Sequence, residues 1–174
     1  KEELKPSNRK TPQNTGMSLY KMLIEQEWIQ QTVESFIAIY GGMEIRMPLY
    51  TYATFLFLFL IGFVGYLMKM FKKGFWKQMN PNKKILLFAF VFNIIIPIAL
   101  SFYYSYFSDF QPQGRYIMPM LIPFMCFITL GIENVMDKII KKQKIKIIVQ
   151  MIIIMAPSAL TIDCIVQAMQ YYMR

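Results

Sequence analysis

Long apolar runs alternate with short polar stretches along this chain. Four runs dominate, at about residues 49–68, 85–107, 116–132 and 147–171. The hydrocarbon core of a bilayer is crossed by about 20 helical residues, within a range of ~17–25, so each run is predicted to be a transmembrane helix. The first three contain no charged residue and the fourth contains only Asp163. Uninterrupted runs of this length exclude strands, which would carry turn signals every few residues. The pattern therefore predicts an all-α polytopic membrane protein with four transmembrane helices, the membrane domain filling residues 49–174.

The residues ahead of the first run divide in two. Residues 1–15 are polar, carry Pro6 and Pro12, and read as a linker or the tail of a loop. Across 16–48 the pattern turns helical. Tyr20, Leu23, Ile24, Trp28, Val33, Phe36, Ile37 and Tyr40 recur at steps of three and four opposite Glu27, Gln30, Gln31 and Glu34. This predicts an amphipathic helix lying on the outer leaflet or against the bundle. Gly41-Gly42 is expected to end it, and Met47-Pro48 to lead into the first span.

Composition agrees with a membrane protein. Of 174 residues, 56% are hydrophobic and 17% charged, against about 25% charged in soluble chains. There is no His, and Cys126 and Cys164 do not form a Cys-x-x-Cys pair, so neither a zinc site nor a disulfide scaffold is expected, and no cofactor. The 15 Met residues suit gap filling within a bundle. The chain begins at Lys1, which reads as a processed product or a piece of a longer frame, and its polar first residues are not a signal peptide.

Charge adds an orientation. Six Lys and no acid lie between the first and second runs, and five Lys with Glu133 and Asp137 lie between the third and fourth; these two loops hold the whole net charge of +9. Short loops rich in Lys and Arg stay cytoplasmic. Residues 1–48, the loop 108–115 and the C-terminus are thus expected outside the cytoplasm of a cell membrane. Because every surplus base lies beside a span, the basicity points to membrane lipids as partners and not to nucleic acid.

The stretch Ser108 to Pro123 carries the candidate chemistry. Arg115 is predicted at a helix N-terminus, where a guanidinium, free backbone N–H groups and the helix dipole converge on a place suited to an anion such as phosphate. Gly114 would let the backbone approach closely, and Tyr116 offers a hydroxyl and a ring. A second reading has Arg115 snorkelling to headgroups or pairing with Asp109. Trp76 fits an interfacial anchor, and Tyr103, Tyr104, Tyr106 and Phe107 an aromatic belt. Within the spans, Asn93 lies roughly 13 Å into the second run and reads as a helix-packing amide. Asp163 is predicted in the outer half of the fourth span, hydrated or paired with Arg115. Pro97, Pro119, Pro123 and Pro157 are expected to bend their helices.

Gln113-Gly114-Arg115-Tyr116, followed by an apolar residue and Pro119, resembles the signature of a family of bacterial polytopic membrane proteins of unknown function that is similar to the GT-C glycosyltransferases. The segment Ser35 to Glu44, followed by Met47-Pro48, resembles that family's entry into a late transmembrane helix, with Gly42 where the family commonly has Trp. The likeness runs from about residue 30 to the end. It implies the C-terminal part of an enzyme that uses a polyprenyl-phosphate sugar and a glycan acceptor. Gln113, Gly114, Arg115, Tyr116 and Asp109 would then bind substrate, with Arg115 on the lipid phosphate. Glu44 and Asp109 lie on the side where substrate would bind, and the helix near Trp28 would shape the acceptor groove. The family's general base belongs to an early extracytoplasmic loop, which would fall before Lys1, so residues 1–174 alone are expected to be inactive.

Overall fold

A computed structural model describes residues 11–40 and 43–173. The first ten residues of the polar stretch, the expected terminators Gly41 and Gly42, and Arg174 lie outside the described residues. The architecture is all-α apart from one short ribbon. In chain order it has a π-helical turn, Lys21–Glu25, and α1, Trp28–Ala38. Strands β1, Ile39–Tyr40, and β2, Ile45–Arg46, follow. Then come α2, Leu49–Met70; α3, Phe75–Gln78; α4, Pro81–Phe107; a 3-10 segment, Gly114–Met120; α5, Leu121–Ile139; and α6, Gln143–Tyr172. Among the described residues four helical stretches are long and apolar enough to cross a bilayer, with the 3-10 segment and α5 forming one of them. The chain is a multi-pass membrane protein.

Each span is longer than its apolar run, mostly at the Lys-rich end of the bundle. Lysine stems lie along apolar surface while their ammonium groups reach water, so a helix continues past its first charges. Asn80 starts α4: its side chain accepts the Asn82 N–H at 3.1 Å and Pro81 occupies the first helical position, where no N–H is needed.

The α2 and α5 helices form the closest pair. Gly62, Gly65 and Gly131 face each other so tightly that a methyl on Gly62 would lie 2.6 Å from Ile128 Cγ2, and one on Gly65 would overlap the Gly131 carbonyl. Asn134 Nδ2 donates to the Gly65 carbonyl at 2.9 Å. Lipid gives apolar helices no hydrophobic reason to associate, so backbone proximity and interhelical hydrogen bonds do that work. Asn93 does not: it donates to the Ala89 carbonyl of its own helix at 2.8 Å and is exposed. The packing amide is Asn134.

The amphipathic segment differs from the one continuous helix expected ahead of Gly41-Gly42. Glu27 has φ +55°, a left-handed conformation that breaks the helix and resets its phase. Met22 and Trp28 are therefore buried, while Tyr20 and Ile24 of the predicted stripe are 69% and 53% exposed. The helix ends at Ala38, where β-branched and aromatic residues enter the β1–β2 ribbon, paired Ile39 with Arg46 and Tyr40 with Ile45. Tyr52, from the first turn of α2, ties the ribbon down: its hydroxyl donates to the Ala38 carbonyl at 2.7 Å and accepts the Met47 N–H at 3.1 Å. Part of the polar stretch is also packed. Thr11 is buried, Gln13 N–H donates to the Tyr106 carbonyl, and the Tyr106 hydroxyl donates to the Met17 carbonyl.

The α6 helix meets the rest near its C-terminal end, where Cys164 and Ala168 join Ala38, Ile45, Met47 and Tyr52 in a buried cluster. Farther along it stands off from α2 and α5, and the three helices line an apolar cleft of about 590 Å³ that includes Pro157. Pro97 and Pro157 lie inside α4 and α6 and Pro119 inside the 3-10 segment, each leaving its ladder one N–H short, whereas Pro123 occupies the first turn of α5, where proline is tolerated.

Candidate functional site

The residues 108–120 that carry the candidate chemistry wrap over the end of α4 and are braced from the other side by α1. Ser105 Oγ donates to the Gln111 carbonyl at 3.2 Å, and the Gly114 N–H donates to Ser35 Oγ at 2.6 Å. Gly114 is indeed a close-approach glycine, but what approaches is α1: an added Cβ would overlap the backbone N and Cα of Phe36. Its N–H is thereby taken, and the Tyr116 N–H donates to the Gln113 carbonyl at 3.2 Å. The cradle of free N–H groups expected around Arg115 is consequently reduced, and any anion contact rests on the side chain. Gln113 contributes its backbone, with its own N–H donating to the Gln111 carbonyl at 2.9 Å.

Arg115 is exposed. One Nη2 proton goes to the Tyr116 hydroxyl at 3.1 Å, and the guanidinium carbon lies 5.0 Å from the centroid of that ring. Tyr116 in turn donates to Gln111 Oε1, and Gln111 Nε2 donates to Asp109 Oδ2. Arg115 and Asp109 are thus the two ends of a relay of four side chains and not an ion pair. The ion pairs among the described residues are Lys21–Glu25, Arg46–Glu34 and Lys146–Asp137. Asp163 is engaged elsewhere. It accepts the Tyr50 hydroxyl at 2.7 Å and Gln167 Nε2 at 2.8 Å, which replaces the expected pairing with Arg115.

The aromatic belt meets this cluster through one contact. The Tyr104 and Tyr116 rings lie 6.4 Å apart, whereas Tyr103 and Tyr106 pack on Phe107. Trp28 is buried edge-on against Phe102 with ring centroids 5.7 Å apart, so it braces α1 on α4. Glu44 is exposed next to the ribbon, and Trp76 is half exposed beside Phe75. Both cysteines are free, and no group of metal-ligating residues occurs among the described residues.

Two contributors escaped the sequence reading. Ser35 looks like an interior helix serine whose hydroxyl returns to its own carbonyls, and it does so at Gln31 at 2.7 Å, yet its lone pair also receives Gly114. Gln111 sits among other loop polar residues with nothing local to distinguish it.

A guanidinium with most of its N–H groups uncommitted, held over a phenol ring and steered by a polar relay, suits bidentate contact with an oxyanion. Comparison with protein-family models, with curated proteins and with solved structures finds no match to this chain.

Proposed function

We propose that this chain is the C-terminal membrane part of a GT-C-like glycosyltransferase that uses a polyprenyl-phosphate-linked sugar in cell-envelope glycan assembly. Arg115 contacts the lipid phosphate, Tyr116 and Asp109 complete the polar face, and Gln113 with Gly114 holds the backbone beneath them. The supporting observation is that Arg115 is exposed with no carboxylate partner among the described residues, while Gln111 and Tyr116 fix its surroundings. Charge gathers on the departing phosphate during glycosyl transfer, and a cation held ready for it lowers the barrier. Glycan transfer in cells, normalised to membrane abundance, tests the role. Arg115→Ala is expected to lose most transfer and Arg115→Lys to retain a minor fraction; unchanged transfer in both rejects the phosphate contact.

The charge asymmetry supports an orientation with residues 1–48, the loop 108–115 and the C-terminus outside the cytoplasm of a cell membrane. In a background without Cys126 and Cys164, an impermeant thiol reagent on intact cells should modify a cysteine at Ser108 and spare one at Gln78. The reverse pattern overturns this topology.

A second reading, a non-catalytic transporter or assembly component, draws on the apolar windows of α4 and α6, of which only 6% and 0% are buried by the rest of the chain. Under it, Arg115→Ala lowers neither transfer nor abundance, and partner helices co-purify.

A further inference from the structure

At the Lys-rich end, opposite the Arg115 cluster, α2, α4 and α5 diverge around a pocket of about 500 Å³ that α3 partly roofs. Its lining is divided. Tyr66, Leu87, Phe90 and Phe127 supply a largely apolar wall, while Lys69, Lys83 and Gln78, nearer the ends of their helices in sequence, line the same pocket. No acid belongs to the lining, and neither Lys has an ion-pair partner among the described residues. Gly74 at φ +89° permits the sharp reversal from α2 into α3 that brings Gln78 over the pocket.

We infer that this pocket binds an anionic phospholipid of the adjoining leaflet, its phosphate between Lys69 and Lys83 and its acyl chain along Phe90 and Phe127. Charge complementarity selects the headgroup, since two lysines and no acid line the pocket and a basic pocket between spanning helices attracts anionic headgroups. The apolar wall selects a lipid over a free anion, because a dissolved phosphate would leave that wall without a partner. The size lies within the ~300–1,000 Å³ of small-molecule sites. The site does not depend on any role of Arg115, which lies at the other end of the bundle.

Native mass spectrometry of the full chain in detergent, titrated with phosphatidylglycerol, phosphatidylcholine or inorganic phosphate, tests this. Phosphatidylglycerol should bind with defined stoichiometry and outcompete phosphatidylcholine, and millimolar inorganic phosphate should not displace it. The double variant Lys69→Ala/Lys83→Ala should weaken phosphatidylglycerol by roughly 30-fold, from about one headgroup-sized electrostatic contribution per Lys. Lys141→Ala/Lys142→Ala, with the same loss of charge on the neighbouring loop, should leave it within about twofold. Lys69→Arg/Lys83→Arg should keep binding, and Leu87→Trp, which fills the pocket with every charge retained, should reduce it. Equal losses in the two double-alanine variants would mean attraction by bulk surface charge alone and would overturn the site, as would displacement by inorganic phosphate or full binding by Lys69→Ala/Lys83→Ala.

Discussion

The Gly114 N–H meets Ser35 Oγ at 2.6 Å across 79 residues of sequence, and this contact joins the two segments that carry the motif-like residues. It places Arg115 at the end of a braced turn, and it also removes the Gly114 N–H from any ligand. Ser35→Ala leaves that buried donor without an acceptor and should cost about 1–3 kcal/mol. Gly114→Ala forces a Cβ into the Phe36 backbone, which cannot swing aside as a side chain would, and should destabilise by at least as much. Thermal unfolding in detergent checks both, and earlier proteolysis within α1 should accompany the loss.

Tyr52 ties together the two ends of the ribbon with one hydroxyl. Tyr52→Phe keeps the ring in its buried cluster and removes both hydrogen bonds, so it should destabilise by about 1–2 kcal/mol. Amide exchange at Ile45 and Met47 should accelerate while exchange in the middle of α2 stays slow. Uniform acceleration would mean that the ribbon is not a separate unit.

Two asparagines in spanning helices make opposite predictions. Asn134→Leu breaks the bond to the Gly65 carbonyl at the α2–α5 crossing and should weaken unfolding resistance by roughly 0.6–1.7 kcal/mol. Asn93→Leu removes only a bond within α4 and should be neutral or slightly stabilising. Gly131→Ala should exceed both, because its Cβ would overlap the Gly62 carbonyl. Reversible unfolding in bicelles ranks the three.

Asp163 belongs with Tyr50 and Gln167 and is separate from the Arg115 relay. Asp163→Asn retains an acceptor for Tyr50, and any readout that Arg115→Ala abolishes should stay within about twofold of the unmodified protein. Asp109→Asn should perturb that readout more, because Asp109 ends the relay that steers Tyr116. An inverted order would show that the C-terminal half of α6 takes part in the site.

The spans were legible in the sequence because a helix in lipid satisfies its backbone hydrogen bonds within itself, so each one's existence depends on its own composition. The positions of the lysines, Arg115 and the belt tyrosines relative to the span ends were local in the same sense. Which helices touch was not. Gly62, Gly65 and Gly131 acquire meaning only when two separated segments cross in one register, and Asn93 and Asn134 differ only in what lies opposite them. Glu27 reads as one more polar position of an amphipathic stripe, yet its backbone breaks that stripe and turns Tyr20 outward. Gly114 likewise reads as room for a ligand until α1 is found filling it. The hydrophobic pattern records how each residue partitions between water and lipid, a one-body property; partners, breaks and free donors are set by distances between residues far apart in the chain, which only the folded arrangement supplies.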